Sequence, residues 1–427
     1  MNPKKIIRGV LPKRATHSVE EAYRKSRILA LQGRHGFPAR TLKIIAVTGT
    51  NGKTTTCNYI NEMLKSAGYT TAMFTTAVVE MAGEQTVNKI HRTVPLTGEL
   101  LQFFKQAKAN KVDFVVLEVT SHALDQHKLL GVPIEVGVMT NLTQDHLDYH
   151  GSMEKYAEAK ARLFNDYSHA RIAILNHDDE WFGYFEREVI GKLVSYGKSP
   201  KSTLKMRYLE LGATGSQVEL QYRQLPLTLQ TKLVGGFNAY NATAAAAVGL
   251  SLGLTPKQVS VGIAALQAVP GRMEQITEGQ KFGVIVDYAH TPDALENVLT
   301  TLQAVTEGRV LIVFGATGDR DKAKRPIMGA VAAKNADRIY LTDDETYSED
   351  PETIRAAVLQ GIEDNGGAPN TVVIADRKTA IKTAFAEAKA GDVVLLAGIG
   401  HQDYRAMAGV NEPWDERDIA RELLREI

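Results

Sequence analysis

The sequence predicts an α/β protein with two parallel-sheet domains, and three observations predict it. Short apolar runs alternate with helical patterns from about residue 41 to the end. The runs are continuously apolar, as strands buried on both faces must be. At 427 residues, against about 150 per domain, the chain is long enough for two or three cores.

The first forty residues read as a helix-leaning leader with a basic start at Lys4, Lys5, Arg8, Lys13 and Arg14. No apolar stretch of signal-peptide or membrane-spanning length follows. Strands are expected at Ile44–Val47, Phe114–Leu117, Val136–Met139 and Ile172–Leu175, each bounded by Gly, Asp, Asn or Thr. From about 201 to 235 polar and apolar residues alternate, as in Gln217 to Tyr222, predicting a small antiparallel excursion. The Ala-rich stretch Asn241 to Leu252 reads as helix. A second series, at Val284–Val286, Val310–Phe314, Ile339–Leu341, Val372–Ile374 and Val393–Leu396, predicts a five-stranded Rossmann-like domain, with the boundary at Pro270-Gly271. The domains are therefore a leader at 1–40, a central unit at 41–270 and a C-terminal unit at 271–427.

Lys plus Arg number 50 against 49 Asp plus Glu, so the overall field gives no reason to expect a nucleic-acid or anionic-membrane partner. Cys57 is the only cysteine, which excludes an intramolecular disulfide and a Cys-based zinc site and fits a reducing cytoplasm.

The strongest local signal is Thr48-Gly49-Thr50-Asn51-Gly52-Lys53-Thr54-Thr55, directly after the first strand and before a helix. Glycines let the backbone N–H groups curl around a phosphate at a helix N-terminus. Lys53 can neutralise β/γ oxygens, and Thr54 can ligate magnesium. The commonest form of this P-loop puts glycine where Val47 stands. Nucleotide binding is favoured over a bare Gly-rich turn, and no switch pattern supports a GTPase or motor ATPase. Glu118 to His122 and Asn141 to His150 follow later strands, where ligands bind in such sheets. Lys160, on the helical pattern Tyr156 to Phe164, reads by itself as a solvated lysine.

These motifs, in order with Gly236 to Asn241, Pro270 to Glu274 and Asp287 to Pro292, resemble the Mur ligase family. Ser121 to His127, Asp145 to Gly151, Gly318 to Asp321 with Lys324-Arg325-Pro326, and Gly400-His401 before Asp403-Tyr404 are similar to the subgroup that adds the third residue of the peptidoglycan stem. The resemblance implies an ATP-dependent amide ligase acting on a UDP-N-acetylmuramoyl-dipeptide through an acyl phosphate; a cytoplasmic monomer is the default expectation. A P-loop ATPase-type domain would be followed by a Rossmann-like ligase domain. It implies phosphate and nucleotide contacts from Gly49, Thr50, Asn51, Gly52, Lys53, Thr54, Thr55, Asn238, Asn241, Arg272 and Asp287. Two magnesium ions would be held near Thr54, Glu118, His146 and a carbamylated Lys160, with Lys53, Glu118, His146 and Lys160 as the catalytic set. The implied substrates are a muramoyl peptide and an amino acid, met by Thr93, Thr120, Gln126, Lys128, His290, Arg320, Tyr347 and Gln402.

The sequence departs from the family in three ways. The leader stands where relatives carry a domain that holds the uridine nucleotide, so a short leader in its place is the expectation. That departure keeps a folate or a lipid-linked precursor as alternative acceptors. Val94 and Lys128 replace a usual threonine and arginine. Diaminopimelate-using members carry Asp-Asn-Pro-Arg, and here the stretch is Asp344-Glu345-Thr346-Tyr347; Gln402 stands for a glutamate and Ile399 for a lysine. The incoming amino acid is therefore left open. A catalytically silent regulator is disfavoured because Lys53, Glu118 and Lys160 are all present.

Overall fold

The computed structural model describes residues 13–88, 92–166, 169–212 and 215–426, with side chains described from residue 19. Lys4, Lys5 and Arg8 of the basic start lie outside the described residues, as do the side chains of Lys13 and Arg14.

The chain opens with α1 (Lys13–Arg34), which docks on the central unit through buried Ile28 and Gln32. The Gln32 side chain donates to the Leu130 carbonyl at 2.6 Å. The central sheet then takes β1 (Lys43–Thr48), α2 (Lys53–Ser66), β2 (Thr71–Phe74), β3 (Val78–Met81) and β4 (Glu84–Val87). It continues with α3 (Thr97–Ala109), β5 (Phe114–Glu118), α4 (Ser121–Asp125), β6 (Ile134–Met139), α5 (Leu147–His150), α6 (Met153–Asn165) and β7 (Ile172–Asn176). After α7 (Phe182–Glu188) come β8 (Lys192–Gly197), β9 (Leu204–Gly212), β10 (Gly215–Tyr222), β11 (Leu225–Thr231), α8 (Gly236–Ser251) and α9 (Pro256–Ala265).

The strand order is β11-β10-β9-β8-β7-β6-β1-β5-β2-β3-β4. The middle of this sheet is parallel; β3, β4, β10 and β11 pair antiparallel at its two ends. The predicted excursion is thus a continuation of the main sheet. Alternation along β1 explains the buried run: Ile45 and Val47 join the core under α2, α8 and α9, while Ile44 and Ala46 join the core under α3 and α6. Full burial of each of the isoleucine and valine side chains contributes about 1.5–3 kcal/mol. Val47 pairs with Glu118 on one side and Val138 on the other. It belongs to the strand, so the glycine of the commoner loop has no turn to make here.

The second sheet follows, with β12 (Glu274–Gln275), β13 (Gly283–Asp287), α10 (Pro292–Val305), β14 (Val310–Phe314), α11 (Lys324–Asn335), β15 (Arg338–Leu341), α12 (Pro351–Glu363), β16 (Thr371–Val373), α13 (Arg377–Glu387) and β17 (Val393–Ala397). The hairpin β18 (Tyr404–Met407) and β19 (Val410–Pro413) and the helix α14 (Glu416–Arg425) complete it. Its order is β12-β13-β17-β14-β15-β16, with the five predicted strands all parallel. Cores on both faces take alternate residues of β14: Ile312 and Phe314 on one, Leu311 and Val313 on the other. The P-loop ATPase-type parallel sheet and the Rossmann-like sheet are both present.

Candidate functional site

The C-terminal strand ends of both sheets face one cavity of about 1150 Å³. The phosphate loop lies on one wall. Gly52 precedes α2 with φ 81°, a left-handed turn that aims the helix N-terminus at the cavity, and a Cβ there would lie 2.2 Å from Asn241 Oδ1. Lys53 donates to the carbonyl of Thr50 at 2.7 Å. The loop is clamped by the segment after β6: the Asn51 amide donates to Asn141 Oδ1 at 2.9 Å, and Thr140 Oγ1 donates to the Asn51 carbonyl at 2.6 Å.

Glu118, at the end of β5, accepts from Thr54 Oγ1 and from the Thr76 amide, both at 2.8 Å. The Arg272 guanidinium comes from the second domain to donate to Thr54 Oγ1 at 3.2 Å and lies 4.5 Å over the Tyr288 ring. Asp287, buried beside it, accepts from the Met273 amide at 2.7 Å; burial pushes its carboxyl up. His146 has a left-handed backbone (φ 54°), and its ring meets that of His122 edge-on at 4.8 Å. Burial holds His146 well below the ordinary imidazole range, so its ring is neutral and able to ligate a metal. Against a burial that opposes ionisation, Lys324 and His146 hold Asp145 below the usual carboxylate range.

Lys160 lies beneath the loop, 1% exposed, and donates to the Gly49 carbonyl at 2.7 Å with its nitrogen 4.6 Å over the Tyr156 ring. Burial, and then Lys53, press its pKa well below the ordinary lysine value. Its burial overturns the reading of it as a solvated lysine. Among the described residues no cluster of three His, Cys, Asp or Glu side chains could hold a metal alone. Thr54, Glu118 and neutral His146 nonetheless fit magnesium, which takes one or two protein oxygens beside substrate phosphates.

At the far end of the loop, Asn238 donates to the Val234 carbonyl at 2.8 Å and accepts from Asn241 at 3.3 Å. Tyr240 donates to Asp178 at 2.7 Å, and Leu209, Phe237 and Val298 supply apolar wall. On the opposite side Thr93 meets Thr76 at 2.8 Å, Thr120 caps α4, and Lys128 donates to the carbonyls of Val94 and Pro95. The remaining lobe lies at the ends of β14, β15 and β17. Here Arg320 lies 4.8 Å over the Tyr347 ring, and His290, its Nδ1 2.7 Å from the Tyr288 carbonyl, is pushed down to about 4 by burial and by Lys324.

Of the sequence-predicted residues, Thr50 to Thr55, Thr93, Glu118, Thr120, Lys128, His146, Asn238, Asn241, Arg272, Asp287, His290, Arg320, Tyr347 and Gln402 all line this cavity. Gly49 and Lys160 sit behind its wall. Gln126 does not reach it: at the C-terminal end of α4, it bonds Tyr149. The sequence reading missed Asp293, and it named Lys324 and Glu345 within motifs without giving them a place in the site. Asp293 accepts from Asn51 across the domain boundary at 2.6 Å, and Lys324 approaches Asp145 at 3.6 Å. The one signal for Asp293 was its position just inside a helix start, after Thr291-Pro292. Among the described residues no helix is long and apolar enough to cross a membrane.

Comparison with known proteins agrees with this architecture. Residues 47–249 match the Mur ligase middle domain, and residues 271–400 match the Mur ligase, glutamate ligase domain. A UDP-N-acetylmuramoyl-L-alanyl-D-glutamate–2,6-diaminopimelate ligase of Solibacter usitatus is 42% identical over 93% of this chain and 80% of that protein. One of the same description from Geobacillus kaustophilus is 40% identical over 96% and 84%. A solved ligase of that description superposes with TM-score 0.62 at 35% identity, over 91% of this chain and 79% of that one. A Mycobacterium tuberculosis folylpolyglutamate synthase complexed with ADP shares the fold, with TM-score 0.71 at 20% identity, over 88% and 91%. Matched across both domains, the chain belongs to the Mur ligase family of ATP-dependent, amide-forming ligases.

Proposed function

We propose that this chain joins an amino acid to the free carboxylate of UDP-N-acetylmuramoyl-L-alanyl-D-glutamate, the acceptor named for its relatives. The observation that carries this reading is the shared cavity, with the phosphate loop on one wall and Arg272, Asp287 and Arg320 on the other. A carboxylate does not react with an amine near neutral pH. Transfer of the ATP γ-phosphoryl group to a carboxylate oxygen gives an acyl phosphate; the amine nitrogen then attacks its carbonyl carbon and phosphate leaves. The products are an amide, ADP and phosphate.

Lys53 exchanges its bond to Thr50 for β/γ oxygens, and Asn238 and Asn241 hold the nucleoside end. Thr54, Glu118 and His146 would hold magnesium, which would supply charge neutralisation at the transferring group. Burial favours the neutral amine of Lys160, the form that adds carbon dioxide, and a carbamate there would help to hold a second ion. Thr93, Thr120 and Lys128 face the acceptor; His290, Arg320, Tyr347 and Gln402 face the incoming amine. The working units are 41–270 and 271–427, a division supported by two separate sheets and by Gly271, where a Cβ would lie 2.3 Å from the His401 amide.

The test is phosphate release from ATP and magnesium with this acceptor and a pool of amino acids, with mass spectrometry of the product. A product heavier by one amino-acid residue is expected. Lys160→Ala should abolish turnover and short carboxylates should restore it; undiminished activity would remove the carbamate. No release with this acceptor, but release with a folate or a lipid-linked precursor, would overturn the acceptor assignment.

A further inference from the structure

The lobe formed by the ends of β14, β15 and β17 holds a carboxylate that the chemistry above does not use. Glu345 is 5% exposed and lines the cavity. Its Oε2 accepts from the Gln402 amide at 3.3 Å and from the Tyr347 hydroxyl at 3.5 Å, and its Oε1 accepts from the Ala406 N–H at 3.3 Å. All three contacts are at or beyond the long end of hydrogen-bond geometry. Two other buried carboxylates of this domain have a guanidinium: Glu416 meets Arg377 at 2.6 Å and Asp392 meets Arg309 at 2.8 Å. Among the described residues Glu345 has no ion pair, and the buried carboxyl of Asp344 adds a second negative group beside it.

The cation of this lobe is Arg320, which lies over the Tyr347 ring rather than against Glu345. Lys324 is turned to Asp145. Any incoming amino acid brings an α-carboxylate, and Arg320 is the group able to meet it. What remains for Glu345 is a positive charge, because a buried carboxylate without one is held at high cost. A second carboxylate in the same place would meet Glu345 and Asp344 with like charge.

We infer that Glu345 receives the terminal ammonium of the incoming amino acid's side chain and so selects a dibasic amino acid over one that carries a second carboxylate. This rests on the ligase reading above. It also separates the chain from its relatives, whose description names 2,6-diaminopimelate. Burial and Asp344 push the Glu345 carboxyl up to about 7, as expected of an acid awaiting a counter-charge.

The test titrates the chain, loaded with magnesium and a non-hydrolysable ATP analogue, with L-lysine, L-ornithine, L-norleucine and meso-2,6-diaminopimelate in a calorimeter. Lysine or ornithine should bind about tenfold or more tightly than norleucine and diaminopimelate. Glu345→Gln should bring lysine down to the norleucine level while leaving the nucleotide affinity unchanged, which also reports that the variant is folded. Tighter binding of diaminopimelate, equal binding of lysine and norleucine, absence of lysine binding, or an unchanged lysine affinity in Glu345→Gln would overturn the inference. No acceptor is present, so failure of muramoyl-dipeptide turnover would sink the ligase reading without altering this result.

Discussion

At Glu345 the fold holds a proton that the unfolded chain would give up. Its carboxyl is raised from the ordinary 4.5 to about 7, by burial first and by Asp344 second; Gln402, the Ala406 amide and Arg320 only partly offset this. Between those two values the native state binds more protons than the unfolded state, so stability falls as pH rises through the window. Glu345→Gln lacks that slope. Unfolding of the two proteins at about pH 5 and about pH 8 should therefore diverge by at least about 1 kcal/mol in favour of the variant at the higher pH; parallel stability curves would show that the carboxyl titrates normally. The phosphate loop could be found in the sequence because its chemistry is contiguous and every atom that matters lies within eight residues. Glu345 was named there only within the stretch Asp344 to Tyr347 and without a role, because its partners Gln402 and Ala406 lie about sixty residues further on and meet it only through the order of β14, β15 and β17. Lys160 needed burial to be seen, and a helical pattern does not say what covers it.

Among the elements, the parallel strands were legible wherever β-branched residues run together, as in β1, β5, β14 and β17. Strands β2, β3, β4 and β8 were missed, the first three for their four-residue length and the last because Lys192, Ser195 and Gly197 interrupt its apolar pattern. The hairpin of β18 and β19 gives no hydrophobic run at all. The loops after β14 and β15 carry the amine lobe, and they are zipped together: the Gly318 amide donates to the Glu345 carbonyl at 2.7 Å. A Cβ on Gly318 would lie 2.0 Å from the Thr346 carbonyl oxygen. Gly318→Ala must push the two loops apart. It is expected to cost about 1–3 kcal/mol and to raise the KM for the amino acid while leaving that for ATP unchanged. Equal shifts in both constants would mean that the two loops do not form a separate subsite.

At the scale of the molecule, the two domains are drawn together across the cavity. Asn51 bonds Asp293, Arg272 bonds Thr54, Gln144 bonds Asp321, and the His401 ring lies 3.2 Å from the Thr76 carbonyl. Closure of this kind keeps water from a labile acyl phosphate. Lys324 and Asp145 form its buried ion pair, so Lys324→Ala leaves a carboxylate stranded at a cost of about 3–5 kcal/mol. With nucleotide bound, small-angle scattering of that variant should give a larger radius of gyration than wild type and turnover should fall; an unchanged radius with unchanged turnover would mean that the pair does not govern closure. Two left-handed non-glycine residues, His146 and Tyr347, line this same cavity. Such backbone is held in place by its surroundings, and the sequence pattern carries no sign of it. The eleven-stranded sheet ends in β4, whose four residues are all exposed and begin with Glu84 and Gln85, and in β11, where Pro226 offers no N–H. A charge at one border and a missing donor at the other make both poor templates for a further strand; the longest sheet of the chain is thereby guarded against edge-to-edge stacking into fibrils.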